Sequence, residues 1–466
     1  MSGRRRGFPH HMIAPFTKHL RFVRALTSRP YALVWIGQSL SGLGDSIFAI
    51  ALAWQILLMT HSGTAMGLVL VASAIPRLIF LLIGGVTADR LSRRTILLWS
   101  DGGRGVVVVL ISVLGFTGLL QFWHLIIEAL IFGLVDGFFM PAILAMTPDL
   151  VEQDDLPSAN ALVGVSQTLT QFIGPMLGAG LIALISPVGV FALNGLSFWL
   201  SVTFLLFVQI PERHVQSTSG PMSTPEGASG NGMVEGNVGE ESVIDNDGQR
   251  VRKAGKKWRG IASVIADVQD GLVYVRRSRW LWVSILCLSV GAMGTSGPFT
   301  VAMPKLIHDV YEQGVWLLGV ISSAVAIGSL LGLLLVGQTK RLGRRGLISY
   351  LSLIPAGVGI ILFGLPWSHT AFFVVGPIAG AMFGLSGAFF STNWFTILQE
   401  MIPGEKLGRV ISLTMLGSLA MVSVSQALAG MLTDRLGSAM VFLLGGLLTL
   451  FTNVLPLLVR DVREME

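Results

Sequence analysis

Long runs of apolar residues recur along almost the whole chain, and they constrain its fold more than any other feature. A helix needs about 20 apolar residues to cross the hydrocarbon core of a bilayer, whereas strands of membrane barrels are shorter and alternate in polarity. Six such runs precede a polar centre and six follow it. The predicted spans are 31–59, 63–87, 95–119, 122–146, 159–185, 188–208, 280–301, 315–336, 346–365, 371–397, 408–432 and 439–459.

The charge content agrees with a membrane protein. Only 12% of the residues are Asp, Glu, Lys or Arg, about half of the 25% that is usual in soluble domains. The net charge of +6 comes from basic residues between the apolar runs, which indicates a lipid bilayer rather than nucleic acid as the partner. We therefore expect an all-α membrane protein with twelve transmembrane helices.

The basic residues also predict the orientation. With the N-terminus inside, the cytosolic loops contain the Lys and Arg residues of 90–94, 340–345 and 406–409, while the outer loops contain only Lys305 and Arg435. The positive-inside rule then places both termini in the cytosol of a multi-pass protein of the cell membrane. We see no cleaved signal peptide before the first span.

Composition divides the chain into five regions. They are a basic cytosolic tail (1–29), a six-helix bundle (30–210), a cytosolic linker (211–278), a second six-helix bundle (279–460) and a cytosolic tail (461–466). The linker is rich in Gly, Ser, Asn and Glu as far as residue 258, which predicts disorder. Its residues 261–277 have the spacing of an amphipathic helix on the cytosolic face, although a simple lead-in to the seventh span fits equally well.

The two halves repeat each other. The sequence A-D-R-L-S-R-R-T-I at 88–96 matches T-K-R-L-G-R-R-G-L at 339–347, and D-D-L at 154–156 matches E-K-L at 405–407 with the same offset. Two matches at one offset indicate a duplicated six-helix unit with parallel repeats. Parallel repeats of this kind occur in transporters with a binding site near the bilayer midplane.

The loop between the second and third spans carries a family signature. It reads Gly85-Val86-Thr87-Ala88-Asp89-Arg90-Leu91-Ser92-Arg93-Arg94 and resembles the major facilitator superfamily pattern G-x-L-a-D-R-x-G-R-[KR]. Thr87 replaces the usual Leu, and Ser92 replaces the second Gly. The resemblance implies two six-helix bundles that work by alternating access, with spans 1, 4, 7 and 10 around a central cavity.

Within that superfamily, the first half resembles the branch of enterobactin exporters and macrolide or multidrug efflux pumps. The similar stretches are 37–45, Asp101 with Arg104, and Asn160 leading into 174–178. Many drug–proton antiporters have an Arg followed by Gln-Gly in span 4, which this chain lacks, so the coupling mechanism stays open.

The signature loop predicts a conformational latch. A carboxylate among arginines at a helix end can cap a neighbouring helix or pair with Arg, and such contacts can hold one access state. Alternatively, the arginines only anchor the topology. The predicted latch residues are Gly85, Asp89, Arg90, Arg93 and Arg94.

Six charged residues lie well inside predicted spans, more than four residues from a span end, and all are in the first half. Each costs several kcal/mol in lipid unless it is paired or faces water. The candidates for proton coupling or substrate binding are Asp45, Arg77, Asp101, Arg104, Glu128 and Asp136. Asp45 and Asp136 fall near the midplane, where they could take up protons or sodium or meet a cationic substrate.

Structural roles are the alternatives. Asp45 is as well explained by a hydrogen bond between helices, for example to Arg77. Asp101 and Arg104 are three residues apart on one helical face and are expected to form a structural pair near the latch. Glu128 is expected near the outer end of its span, in solvent.

The cavity wall and the direction of transport are further expectations. The predicted substrate-lining residues are Phe132, Phe139 and Met140 in span 4 with Phe390, Asn393 and Trp394 in span 10; packing against lipid or other helices explains each one at least as well. In span 5, Gly174 and Gly178 permit close packing and Pro175 bends the helix. The resemblance associates this Gly-Pro motif with antiporters and exporters.

These observations predict a secondary active transporter, a proton-coupled exporter of drug-like, siderophore-like or amphipathic small molecules. A nutrient importer of the same fold and a non-transporting membrane sensor or scaffold are the alternatives. No nucleotide-binding loop, metal-ligand spacing or catalytic motif occurs in the sequence, so we expect no enzyme activity, cofactor or metal. We also expect the protein to be a monomer.

Overall fold

A computed structural model of the chain describes residues 21–90, 92–208, 242–244, 250–252, 271–338 and 343–464. After a 3₁₀ turn at Arg21–Thr27, the first half consists of five helices. They are α1 (Arg29–Thr60), α2 (Gly63–Arg90), α3 (Arg93–Phe116), α4 (Phe122–Leu150) and α5 (Leu156–Phe207).

Helix α5 contains two crossings of the membrane. Its 52 residues would span about 78 Å as one straight helix, more than twice the hydrocarbon core of about 30 Å. The backbone leaves the helical conformation at Ser186 (φ 71°, ψ 164°). Pro187 follows, and proline disfavours a helical residue before it. The break falls between the predicted fifth and sixth spans.

The second half follows the same plan. Its helices are α6 (Arg279–Gly297), α7 (Trp316–Gln338), α8 (Arg345–Leu351), α9 (Ile354–Gly364), α10 (His369–Met401), α11 (Gly404–Leu436) and α12 (Ser438–Val454). Helix α6 continues through π-helical turns at Pro298–Ala302 and Leu306–Val310, and α8 with α9 makes one crossing. The described residues contain 11 stretches that are long and apolar enough to span a membrane, one of which is the double α5 stretch. The all-α membrane fold is thereby confirmed, and counting α5 twice gives the predicted twelve crossings.

Equivalent helices pair in the two halves, as a duplication requires. Helix α2 packs on α4, α1 on α5 and α3 on α5; in the second half, α7 packs on α10, α6 on α11 and α9 on α12. A Cβ at Gly133 would lie 1.9 Å from the carbonyl oxygen of Ser73, and a Cβ at Gly384 would lie 2.0 Å from that of Val325. Gly384 occupies the position that the sequence repeat assigns to Gly133, so the same close helix approach occurs twice.

The halves meet near one face of the protein. We call the face where α1 begins the N-face and the opposite one the far face. Two helix pairs, α2 with α11 and α5 with α7, join the halves. A Cβ at Gly67 would lie 2.6 Å from the carbonyl oxygen of Gln426, and a Cβ at Gly319 would lie 2.7 Å from the Cβ of Ala179. All four residues lie in the far-face parts of their helices.

A polar contact that we call the far-face clamp joins the halves at the start of α2. Asp434, near the end of α11, accepts hydrogen bonds from the backbone N–H groups of Gly63 (2.7 Å) and Thr64 (2.8 Å) and from the Ser62 hydroxyl (2.6 Å). Lys305 Nζ lies 2.6 Å from Asp434 Oδ1 and donates to the His61 carbonyl oxygen at 3.0 Å. A carboxylate of the second half thus caps a helix N-terminus of the first.

The linker is described only in part. Within the segment predicted to be disordered, Ser242–Ile244 pairs antiparallel with Arg250–Arg252, which differs from that expectation. Valines face each other across the pair, and the intervening sequence D-N-D-G-Q has turn-forming residues. Residues 271–277 are helical and Val275 is buried, so the end of the predicted amphipathic helix is present; residues 261–270 lie outside the described part.

Candidate functional site

A cavity of about 240 Å³ lies within the first half, between α1, α4 and α5. At its N-face end are Tyr31 near the start of α1, Leu150 at the end of α4 and Asn160 near the start of α5. Its deep end is formed by Asp45 and Arg104. Tyr31 and Asp45 are separated by about 21 Å of helix, so the cavity extends from the N-face to the middle of the membrane.

Helices α1 and α5 give the cavity a polar wall. On α1, the lining side chains Tyr31, Trp35, Gln38 and Asp45 are separated by three, four or seven residues and therefore share one face. On α5, the spacing of Asn160, Val163, Gln167 and Thr170 is of the same kind. Helix α4 adds Phe139, Met140 and Ile143. The lining thus combines amides and hydroxyls with aromatic rings, which suits a ligand with both apolar surface and oxygen atoms.

A buried ion pair anchors the deep end of the cavity. Arg104 Nη2 lies 2.6 Å from Asp101 Oδ1, and the two side chains are 4% and 0% exposed. The other carboxylate oxygen of Asp101 accepts hydrogen bonds from Gln38 Nε2 (2.8 Å) and from the Ser201 hydroxyl (2.7 Å). Asp101 is therefore fully engaged, as a buried charge must be.

Two further carboxylates lie at a longer distance from the same arginine. Arg104 Nη1 is 3.4 Å from Asp45 Oδ2 and 3.5 Å from Asp136 Oδ1. Asn194 donates to Asp45 at 3.3 Å, and Arg77 lies 2.7 Å from the second oxygen of Asp136. We call Asp45, Arg77, Asp101, Arg104 and Asp136 the charge cluster. It joins α1, α2, α3 and α4, and it contains three acidic side chains but only two arginines.

Aromatic rings enclose the central guanidinium. Arg104 Cζ lies 4.6 Å from the centroid of the Phe139 ring and 4.7 Å from that of Phe198. Cation–π contacts of this kind hold a cation in place without removing its charge. Asp45 lines the cavity and is 35% exposed, and Asp136 is 22% exposed, so a proton or ligand in the cavity can reach Asp45 while Asp101 stays covered.

The charge cluster corrects three structural expectations. Arg77 pairs with Asp136 rather than with Asp45, because α2 packs on α4. Asp101 and Arg104 do form the expected pair, but it lies beside Asp45 at the cavity end and not near the signature loop. Glu128 is 2% exposed instead of solvated, and its Oε2 has no hydrogen-bond partner among the described atoms.

Only two of the six residues predicted to line the substrate cavity lie in the wall of this cavity. Phe139 and Met140 line the cavity. Phe132 instead stacks on Phe48 at 5.7 Å in the core of the first half. Phe390 and Trp394 are 7% and 4% exposed and pack against Tyr350 and Trp280, because this face of α10 turns towards α6 and α8.

Asn393 likewise does not line the cavity; its side chain donates to the Phe389 carbonyl oxygen at 3.2 Å. The polar wall formed by Gln38, Asn160, Gln167 and Thr170 was missed. Its signal was present in the sequence, since amides and hydroxyls recur at helical spacing inside two apolar spans.

The backbone of residues 85–90 belongs to α2, but nothing is described of the side chains of Asp89 and Arg90. The latch role of these two residues and of Gly85 therefore stays a prediction. Arg93 Nη1 is 2.5 Å from Asp149 Oδ2, and Arg94 donates to the carbonyl oxygens of Leu205 and Leu206 at 2.9 and 2.8 Å. These contacts connect the start of α3 with the ends of α4 and α5 on the N-face.

The Gly-Pro motif of α5 lies against α1. A Cβ at Gly174 would lie 2.1 Å from the Ser46 hydroxyl oxygen, and a Cβ at Gly178 would lie 3.2 Å from the Ile47 carbonyl oxygen. Pro175 lies inside the helix. The motif therefore brings α5 close to α1 one residue from Asp45, and it links the cavity wall to the charge cluster.

Comparisons with known proteins agree with this architecture. The model of the Major Facilitator Superfamily matches residues 34–425. Macrolide efflux protein A of Streptococcus pyogenes is 23% identical over 435 residues, which cover 93% of this chain and 96% of the relative. Enterobactin exporter EntS of Escherichia coli O1:K1 / APEC is 26% identical over 436 residues, with 92% and 87% covered.

Solved structures share the fold at low identity. The nucleoside transporter NupG superposes with a TM-score of 0.63 at 11% identity and covers 94% of this chain and 100% of its own. A bacterial homologue of the iron transporter ferroportin, in an inward-facing state, gives 0.64 at 17% identity, with 92% and 98% covered. With a family model over most of its length and the two-bundle fold, the chain belongs to the Major Facilitator Superfamily and is a membrane transporter, not an enzyme.

Proposed function

We propose that this chain is a secondary active exporter that releases an amphipathic small molecule from the cell in exchange for protons. The charge cluster at the end of the cavity carries the proposal, because three acids share two arginines and one of the acids, Asp45, lines the cavity. The exporter names of both relatives support the direction of transport.

The loading side follows from the distribution of basic residues. If the N-face is cytosolic, as the positive-inside rule predicts, both termini are in the cytosol and the protein lies in the cell membrane. The cavity then reaches from the cytosol to the midplane, while the far-face clamp closes the opposite side. This is the state in which an exporter takes up its cargo.

Coupling would act through competition for Arg104. Its tight partner is Asp101 at 2.6 Å, whereas Asp45 and Asp136 lie 3.4 and 3.5 Å away. A proton on Asp45 or Asp136 removes one of the negative charges that attract the guanidinium of Arg104, and so changes the contacts between α1, α3 and α4. The ligand and the proton would then bind alternately, which is what exchange requires. Sodium is the alternative coupling ion.

The lining suggests the substrate class. Tyr31, Trp35 and Phe139 offer flat apolar surfaces, and Gln38, Asn160 and Gln167 offer amides that bind oxygen atoms. Macrolide and enterobactin, named for the two relatives, both belong to the drug-like or siderophore-like compounds that such a wall fits. The latch at Asp89 would hold the opposite, cytosol-closed state, and we propose a monomer as the working unit.

A survival screen tests the proposal. An efflux-deficient bacterium that expresses the chain is exposed to macrolides, catechol siderophores and other toxins, next to the same strain with Gln38→Leu/Gln167→Leu. Export predicts that the parent raises the tolerated concentration of at least one compound and lowers its accumulation. An importer would do the opposite, and equal accumulation in the presence and absence of the chain would refute transport of these classes.

A further inference from the structure

Three potential metal ligands meet beside the far-face clamp. One ligand atom each of His61, His308 and Asp309 lies within 4.8 Å of the other two. His61 caps the C-terminal end of α1 in the first half, whereas His308 and Asp309 belong to the π-helical turn after α6 in the second. His308 and Asp309 are adjacent in the sequence, but His61 belongs to the other half of the chain, so spacing in the sequence does not predict the group.

Other contacts hold these side chains in place. The ring centroids of His61 and His308 are 6.0 Å apart. The rings of Trp54 and His308 pack edge to face, with their centroids 5.8 Å apart. His308 Nδ1 lies 2.7 Å from Asp309 Oδ1. The backbone of His61 is left-handed (φ 50°), and its carbonyl oxygen accepts from Lys305. The imidazoles are thereby presented to each other across the junction of the halves.

The local charge permits a cation. Lys305 is one helical turn from His308, but its ammonium lies 2.6 Å from Asp434 and is neutralised there. The carboxylate of Asp309 remains as a negative charge next to the two imidazoles. Both histidines and Asp309 are at least partly exposed, so an ion can enter from the far face.

We propose that His61, His308 and Asp309 form a site for a borderline divalent transition-metal ion, such as zinc, that is complete only while the far face is closed. Two imidazoles and one carboxylate are a ligand set that zinc accepts, with a fourth position left for water. Bond lengths of about 2.1 Å require small rotations of the side chains to bring the ligand atoms closer together.

The site links metal binding to the transport cycle. Because the ligands come from both halves, opening of the far face separates them. An ion that binds one state only shifts the population towards that state. External zinc would therefore hold the protein with its cavity open to the N-face. This inference goes beyond the proposed function, since metal binding is measured without any substrate.

Calorimetry with Zn²⁺ on the full chain in lipid nanodiscs tests the site. The background carries His10→Ala and His11→Ala, because that neighbouring pair in the N-terminal tail is a second potential zinc ligand. We expect one site per chain, weakened at least about tenfold by His61→Ala and by His308→Ala. The matched control is His124→Ala, another histidine of the far face, whose Nδ1 accepts from the backbone of Gln121. Mg²⁺ should not bind, since it prefers oxygen ligands.

Equal zinc affinity in the His61→Ala/His308→Ala variant and the background would overturn the site, and so would an equal loss in His124→Ala. A second measurement, the rise of the thermal unfolding midpoint with Zn²⁺, should disappear in the same variants.

To test whether zinc binding depends on the closed far face, a variant must disturb that closure without changing the three ligands. Gly67→Trp places a large side chain between α2 and α11, and Gly319→Trp does so between α5 and α7, should the first variant not fold. A monodisperse variant with parental helix content is expected to lose the zinc site. Zinc binding with parental affinity in such a variant would refute the link to the closed state.

Discussion

Replacing Asp101 with Asn removes the negative charge that faces Arg104 in the most buried part of the charge cluster. The Asp101 carboxylate is 0% exposed and receives three donors at 2.6–2.8 Å. Loss of one partner of a buried pair costs about 3–5 kcal/mol. Asp45 and Asp136 still lie 3.4 and 3.5 Å from the guanidinium, so we expect the lower end, about 3 kcal/mol.

The assay is equilibrium unfolding in mixed detergent micelles with increasing dodecyl sulfate, followed by circular dichroism. Asp149→Asn is the matched control, because its pair with Arg93 is 32–39% exposed and exposed pairs contribute about 1 kcal/mol or less. In a double-mutant cycle, Asp101→Leu with Arg104→Met should cost less than the sum of the single changes. A loss for Asp101→Asn no larger than for Asp149→Asn would refute the structural role of the pair.

Three other outcomes are expected. Gly133→Ala should destabilise the fold by about 1–3 kcal/mol, since its Cβ would lie 1.9 Å from a carbonyl oxygen of α2, whereas Gly102→Ala, with nothing within 4 Å, should not. Asp434→Asn should open the far face, measured as faster thiol labelling of a cysteine introduced there; unchanged labelling would contradict the clamp. Trp35→Ala should change tolerance to an exported compound by about twofold to tenfold, and Phe451→Ala, 63% exposed on α12, should leave it unchanged.

The span pattern was predictable because lipid demands long apolar helices, and every crossing satisfies that demand locally. Even the break in α5 is visible in the sequence, where Ser186-Pro187 separates two apolar runs. The offset between the two sequence repeats also relates equivalent positions in the structure, since Gly133 and Gly384 make the same close helix contact in their respective halves.

The partners inside the charge cluster were not predictable in the same way. Whether Arg77 meets Asp45 or Asp136 depends on the rotation and depth of three helices, which the sequence of one helix does not specify. Burial of Glu128 likewise depends on what packs over it. The polar wall on α5 was missed for another reason: Asn160 and Gln167 share a face, but amides also stabilise helix packing, and nothing local separates the two roles.

Coupling of protons to export at Asp45 and Asp136 is the central claim. The direct measurement uses inverted membrane vesicles or proteoliposomes with the N-face outward, in which uptake of an exported compound is driven by an imposed proton gradient. For Asp45→Asn/Asp136→Asn we predict that the compound still binds and still equilibrates, while gradient-driven accumulation is lost. Glu464→Gln, which loses only an exposed pair with Arg460, should accumulate as the parent does. Full accumulation by the double variant would contradict the account.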